Sequence, residues 1–342
     1  MAALRRSEIR RSPGVRGVRA VVQSVPDWVP LTETWLHSQV RHLPDWVESH
    51  VVCGRRMNGD AFPYPRVTAG EDRALTFTID RALRRVVPRP RGPVRRVARR
   101  VGAEVVHSHY GYIAWFDHRA ARRVGARHVV SFYGFDLIRL PREDPRWLRR
   151  YARMFAGAAS VLCEGPYMAG TLAGIGCDPA KVRVQRLGVD LELLPRFRPR
   201  SWSGDGPLRI LMAGSFREKK GMPVALDAIG ILVRAGVDAR VTIVGDAGPR
   251  DADEKARILR AIDRNDLGER VSLLGYQSHS RLMQEGESHD VFLSPSLTGA
   301  DGDCEGGAPV TIIEMAAIGM PVLSTLHCDI PSVLAEPNRG LL

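Results

Sequence analysis

Lys219 and Lys220 stand side by side in a chain whose 50 basic residues include only two other lysines, Lys181 and Lys255. They lie in MAGSFREKKGMPVALDA, residues 212–228, where an apolar run leads into Gly214, a loop, Gly221 and then a helix-like pattern. Glycine lets a ligand approach the backbone closely, and a helix start offers free N–H groups to an anion. With Arg217, Lys219 and Lys220 adding full charge, the segment suits a diphosphate. The same residues also read as an ordinary strand–helix turn with surface lysines. Their spacing is neither that of a P-loop nor G-x-G-x-x-G.

A second constellation is DGDCEGGAPVTIIEMAAIGMPVLST, residues 301–325. An acidic, glycine-rich loop runs into a helical stretch and then a strand. Glu305 closes the loop, followed by Gly306 and Gly307, and Glu314 sits in the helix. Two such carboxylates can hold sugar and ribose hydroxyls through charge-assisted hydrogen bonds. They can equally cap the helix, or bind calcium with the DGD acids, although the twelve-residue loop pattern for calcium is missing.

These loops need strands to carry them. Short β-branched runs alternate with helix-length segments along the chain: GVRAVVQSV, AEVVHSH, RHVVSFYG and ASVLCEG, then PLRILMAG, ARVTIVGD, RVSLLGY, HDVFLSPS and MPVLST. Continuous apolar strands separated by helices predict parallel sheets covered on both faces. The spacing in residues 221–236 predicts an amphipathic helix. PRFRPRSWSGDGP, residues 195–207, has no periodicity and reads as a linker. The expectation is an α/β chain of two doubly wound, Rossmann-like domains, 1–198 and 199–342, facing a cleft.

In order along the chain, GSFREKKG, TIVGDAGP, VFLSPS, EGGAPVTIIEMAAIGMPV and CDIPSVL resemble the carboxy-terminal domain of glycosyltransferase family 4, retaining enzymes of GT-B fold. VPLTETWLHSQV, HSHYG, SFYGFD and VRVQRLGVDLELL are similar to segments of its exopolysaccharide branch, which builds polymers of the colanic acid and amylovoran kind. The resemblance covers about 29–342. It implies transfer of a sugar from a nucleotide-sugar donor to a glycan or polyprenyl-diphosphate-linked acceptor. It also implies no resident metal or other cofactor.

Carried onto this chain, the resemblance gives Lys220 the donor diphosphate, with Gly214, Arg217 and Lys219 beside it. It gives Glu314 the ribose and Glu305 the donor sugar, and has Gly306 and Gly307 present N–H groups to sugar or phosphate. Glu305, Lys220 and Asp136 form the expected catalytic set, while His107, His109 and Tyr133 fall on the acceptor side. A buried supporting role is the alternative for both histidines. Several positions depart from the family pattern. Eight residues rather than seven separate Glu305 from Glu314, Ser215 replaces an arginine, and Tyr133 replaces a histidine. The family pattern also runs on beyond NRGLL to a closing helix, so a fragment or a less firmly held cleft is expected.

Composition narrows the remaining classes. At ~100–200 residues per domain, 342 residues accommodate two domains. Contents of 44% hydrophobic and 26% charged residues are those of a globular protein. No apolar run reaches the ~18–20 residues of a spanning helix, and the arginine-rich first twenty residues have no apolar core of a signal peptide. Five scattered cysteines without a Cys-x-x-Cys pair suit reduced thiols better than a disulfide framework or a zinc site. A cytoplasmic protein, peripheral on the inner membrane face, is therefore expected. The net charge of +12 is carried by the first 200 residues, densest at 81–100, which suits an anionic membrane surface. That stretch lacks aromatic residues for stacking on bases, and no nucleic-acid motif appears, so no nucleic-acid partner is expected. The competing readings are a GT-B protein with epimerase- or phosphorylase-like chemistry or none, and a basic module that grips polyanions or membranes.

Overall fold

The computed structural model describes residues 19–30, 33–73, 92–200, 202–249 and 251–335. Expectations that touch Leu31 and Thr32, residues 81–91 and the closing NRGLL lie outside the described residues. The chain forms two compact units, Met1–Ser131 with Arg153–Val161, and Phe132–Ala152 with Leu162–Leu342.

The first unit contains β1 (Arg19–Ser24), β2 (Asp27–Trp28), β3 (Val47–Cys53), β4 (Arg55–Arg56), β5 (Val67–Ala69), β6 (Val105–His109) and β7 (Arg127–Ser131), of which β1, β6 and β7 come from the β-branched runs. β2 and β4 pair with each other in a separate small sheet. With β8 (Ser160–Cys163) and β9 (Val182–Val184), the main sheet has the order β5-β3-β1-β6-β7-β8-β9. The helices here are α1 (Thr34–Arg41), α2 (Gly92–Val101) and α3 (Gly111–Val124). Val94, Val97 and Ala98 of α2 and Ala120 and Ala121 of α3 pack on Val22, Val52 and Val106 of the sheet. Arg95, Arg96, Arg99 and Arg100 occupy the opposite, exposed face of α2, as the three-and-four spacing of its apolar residues requires.

α4 (Arg139–Glu143) and α5 (Arg146–Gly157) follow, the latter running from the second unit into the first, and then α6 (Pro166–Gly174). The second unit is built on β10 (Leu208–Ala213), β11 (Ala239–Val244), β12 (Val271–Gly275), β13 (Val291–Leu293) and β14 (Val322–Leu323). They form a parallel sheet of order β12-β11-β10-β13-β14. Its helices are α7 (Met222–Arg234), α8 (Ala252–Arg264), α9 (His279–Ser288), α10 (Val310–Ala317) and α11 (Ile330–Val333). Alternation along β10 divides the core between the faces. Ile210 and Met212 meet Leu226, Ile229, Ile258 and Ile262 on one side. Leu211 and Ala213 meet Met283, Ile312, Met315 and Ile330 on the other. At about 1.5–3 kcal/mol per buried large aliphatic side chain, each face contributes comparably.

The sheet order reverses between β10 and β13, so the loops after these strands flank a topological switch point, where open α/β sheets bind ligands. Those loops contain Gly214 and Ser294 through Ser296. Residues 195–200 and 202–207 form neither helix nor strand, as the composition predicts. They are nonetheless tied down, because the Arg200 guanidinium donates to the carbonyls of Glu287 and His289 at 2.7 and 2.8 Å.

Candidate functional site

Beyond β10 the chain turns through a short 3-10 segment, Glu218–Lys220, before α7 starts at Met222. Gly221 has φ of +63°, and a β-carbon there would lie 2.0 Å from the Pro295 carbonyl oxygen. Only glycine therefore fits between the lysine pair and the helix. On the other side of the loop, a β-carbon on Gly214 would sit in ordinary contact with the Lys220 side chain at 3.5 Å, so the lysine stem crosses the strand end beside this glycine.

Both lysines reach the acidic loop. Lys220 Nζ is 2.8 Å from Glu305 Oε1 and 3.1 Å from Oε2. Lys219 Nζ donates to the Cys304 carbonyl at 3.0 Å and lies 3.5 Å from Asp303 Oδ1. Arg217 pairs with Asp303 Oδ2 at 3.1 Å. The expected phosphate-binding cations are thus gathered on Asp303 and Glu305, two nearly buried carboxylates. Ser296 Oγ donates to Glu305 Oε1 at 2.9 Å. Burial alone would push the Glu305 carboxyl up, but the charges of Lys220 and Lys219 and the hydrogen bonds outweigh it and hold it below the ordinary range.

The glycines after Glu305 are packed on other backbone and on a carboxyl group. Gly306, at φ of +74°, approaches Gly134 so closely that a β-carbon would lie 2.4 Å from its Cα. Gly307 abuts Glu164, whose Oε2 accepts from the Ala308 N–H at 3.3 Å. Desolvation, with a smaller push from Asp329, Glu305 and Asp136, raises the Glu164 carboxyl to about 8 despite that hydrogen bond. Asp329 is also buried and accepts from the Tyr167 and Met168 N–H groups at the start of α6, at 2.8 and 3.3 Å.

Asp136 is buried, its Oδ1 accepting the Tyr133 N–H at 3.0 Å and its carbonyl accepting the Tyr151 hydroxyl at 2.7 Å. Tyr133 follows Phe132 at the head of the same turn and is partly buried. Glu314 is buried on α10 and bonded to His279 Nε2 at 2.8 Å. That bond raises the imidazole's affinity for a proton against the desolvation that opposes it. Two arginines also reach the acidic loop from α4. Arg142 donates to the Gly302 carbonyl at 3.0 Å, and Arg139 lies 3.4 Å from Asp301 and 3.8 Å from Asp303. Arg139, Arg217, Lys219, Asp301 and Asp303 line one side of a charged cavity of about 420 Å³.

The expected site residues Gly214, Arg217, Lys219, Lys220, Glu305, Gly306 and Gly307 therefore form one connected set of contacts, which Gly134 joins to the turn carrying Tyr133 and Asp136. His107 and His109 lie in the first unit, their rings 4.2 Å apart. His107 bonds Ser131 Oγ at 2.8 Å and His109 bonds Gln23 Oε1 at 3.0 Å. Burial lowers both, His107 to about 4, so they are neutral at physiological pH. In the same unit buried Ser108 bridges Asp117 and His128, 3.0 Å from each. With serine in the middle, this is a structural tie and lacks the order of a nucleophile triad.

The sequence reading missed Glu164, His279, Arg139, Arg142 and Asp303. The DGDCEGG run pointed to Asp303 only as one acid among several. Nothing in local spacing marks the others, because each meets its partner through the fold.

Two family profiles match the chain in series. One described as Glycosyltransferase Family 4 matches residues 32–193, and one described as Glycosyl transferases group 1 matches residues 195–342. A protein named as a putative colanic acid biosynthesis glycosyltransferase, WcaL of Escherichia coli (strain K12), is 36% identical over 193 residues, 56% of this chain and 45% of that protein. The amylovoran biosynthesis glycosyltransferase AmsK of Erwinia amylovora is 35% identical, with the same 56% and 45% coverage. The chain thus spans less than half the length of these curated relatives. Among solved structures, Anabaena HepE in complex with UDP-glucose superimposes with a TM-score of 0.70 at 15% identity, covering 93% of this chain and 83% of that one. That likeness is one of fold, and the fold is GT-B, with two Rossmann-like α/β domains.

Proposed function

Because the chain belongs to glycosyltransferase family 4, we propose that it transfers a sugar from a nucleotide-sugar donor to a glycan or polyprenyl-diphosphate-linked acceptor, with retention, in exopolysaccharide assembly. The observation that carries this reading is the Lys220–Glu305 ion pair at 2.8 Å, set between Gly214 and the Gly306–Gly307 turn. The colanic acid and amylovoran names of the relatives support the polymer class. The UDP-glucose in the structural neighbour supports a nucleotide-sugar donor.

The reaction breaks an anomeric C–O bond while negative charge grows on the departing diphosphate. Lys220, Lys219 and Arg217 are held in place by Glu305 and Asp303 before any donor arrives. Preorganised charge of this kind stabilises the transition state without reorganising when bond breakage begins. On donor binding the cations exchange part of their carboxylate contact for phosphate oxygens, which frees Glu305 to accept from sugar hydroxyls. Gly306 and Gly307 supply backbone N–H groups, and Glu314 accepts from the ribose in place of His279. Asp136 orients the acceptor hydroxyl. The diphosphate's charge is met by these side chains, and no resident metal is assigned to the step.

In this reading residues 1–198 bind the acceptor and 199–342 the donor, with His107, His109 and Tyr133 on the acceptor side. No helix among the described residues is long and apolar enough to cross a membrane. We place the protein in the cytoplasm, at the inner membrane surface, where a lipid-linked acceptor lies and basic residues are attracted. Incubation with a panel of UDP- and GDP-sugars, with and without a lipid-linked glycan, tests the proposal. The expected result is acceptor-dependent release of nucleoside diphosphate with one donor. Phosphate-dependent sugar release, or interconversion of donor sugars, would replace the transferase with a phosphorylase or an epimerase. No turnover and no donor binding would leave a binding module.

A further inference from the structure

Beside the donor loops lies a group of side chains for which the transfer chemistry has no use. Cys304 precedes Glu305 in the acidic loop, while His327 and Cys328 form the turn between β14 and α11. A ring nitrogen of His327 and the two sulfurs lie within 4.8 Å of one another, although 22 residues of chain separate Cys304 from His327. We propose that Cys304, His327 and Cys328 bind a thiophilic divalent cation, zinc, through two thiolates and one imidazole.

Three observations carry the assignment. The first is the donor set. Sulfur and imidazole select zinc-like ions and disfavour magnesium and calcium, which take oxygen. The second is distance. Tetrahedral bonds of ~2.3 Å to sulfur and ~2.0–2.1 Å to nitrogen put ligand atoms roughly 3.5–3.8 Å apart. Side-chain adjustment of about 1 Å would close the present group onto an ion. The third is an orphaned atom. His327 Nε2 is buried and makes no hydrogen bond, an unfavourable state unless the ring is oriented for another purpose. Cys328 adds to this, holding φ of +48° where non-glycine residues are uncommon. The Tyr167 side chain lies beside both sulfurs.

The role is a staple. Binding replaces two S–H bonds with two metal–sulfur bonds, releases two protons to solvent, and joins the turn after β14 to the loop that carries Glu305. The Asp329 N–H donates to the Gly307 carbonyl at 3.3 Å, so the joined segments already share a hydrogen bond. The ion would fix the backbone on both sides of Glu305 without touching the reacting atoms.

The test is metal content, independent of any activity. Protein purified with zinc and without chelator is measured by elemental mass spectrometry, and the metal-free wild type is titrated with cobalt. About one zinc per chain is expected, falling at least tenfold in Cys304→Ser and Cys328→Ser and unchanged in Cys53→Ser. Cobalt should give the intense visible and near-ultraviolet bands of a tetrahedral thiolate site. The wild-type titration decides even if the serine variants fail to fold. No bound zinc together with a featureless cobalt spectrum would overturn the proposal. So would a Cys304–Cys328 disulfide, seen as a 2 Da loss, in protein handled anaerobically with zinc present.

Discussion

A β-carbon placed on Gly134 would lie 2.4 Å from the carbonyl oxygen of Glu305, so the SFYGFD turn and the acidic loop meet backbone to backbone. Gly134 also has φ of +99°, a conformation that side chains rarely adopt. Gly134→Ala should destabilise the protein by about 1–3 kcal/mol from strain alone and displace Glu305. A shift approaching 1 Å at a reacting centre lowers turnover by about 10²-fold. Thermal unfolding and nucleoside diphosphate release measure the two effects. A variant with parental turnover would show that the position of this carbonyl is unimportant to transfer.

Lys220→Ala should lower turnover by about 10²–10³-fold. It also leaves Lys219, at 3.9 Å, as the one remaining ion-pair partner of Glu305 among the described residues. Breaking a buried pair typically costs about 3–5 kcal/mol. Adding Glu305→Gln should therefore recover stability in urea without restoring turnover. If the double variant is no more stable than Lys220→Ala, the pair is not what ties the two loops together.

Glu164 predicts a pH dependence. Its folded carboxyl titrates at about 8 against an ordinary 4.5, and Asp329, Glu305 and Asp136 face it. Below 4.5 both folded and unfolded chains hold the proton, so the group is neutral in its effect. As pH rises from 4.5 to 8 the unfolded chain ionises and the folded one does not, so stability falls across that window. Glutamine keeps the shape and an acceptor for the Ala308 N–H but does not titrate. Glu164→Gln should match the parent near pH 4.5 and exceed it at pH 8, by a few kcal/mol at most. Parallel urea-stability curves for the two proteins from pH 5 to 8 would contradict a protonated Glu164.

The exposed arginines of α2 test the membrane reading. Arg95, Arg96, Arg99 and Arg100 share one face and need no rearrangement to meet a surface. At about 1 kcal/mol per basic residue near anionic lipid, changing all four to glutamine should weaken liposome binding by roughly two orders of magnitude or more at low salt. High salt should release the parent protein, since the Debye length contracts to about 3 Å at 1 M. Equal sedimentation with neutral and anionic vesicles would rule out the attraction.

What the sequence disclosed follows from how each feature is encoded. PLRILMAG, ARVTIVGD and HDVFLSPS became β10, β11 and β13 because an apolar strand buried on both faces leaves an unbroken run. Val47–Cys53 carries the same kind of strand but was not singled out, since Glu48, Ser49 and His50 interrupt its apolar residues. The donor-loop residues were legible because glycine and lysine needs at one strand end fall within ten residues. Glu164 was not, for its partner Ala308 is 144 residues away and its acidity depends on burial. His279 was missed for the same reason, its meaning lying wholly in contact with Glu314, 35 positions further on.

The order β12-β11-β10-β13-β14 also bears on how the protein is made. A ribosome delivers β10, β11 and β12 first, and these three can pair at once. The other edge of β10 then waits for β13, roughly eighty residues later. At about 5–20 residues per second, that edge stays open for on the order of 4–16 s in every round of synthesis. It is apolar, carrying Ile210 and Leu211, which later pair with Val291 and Phe292. Open strand edges of this kind recruit other chains. The switch point that gathers the donor loops in the finished protein thus leaves a nascent edge open to aggregation and in need of a chaperone.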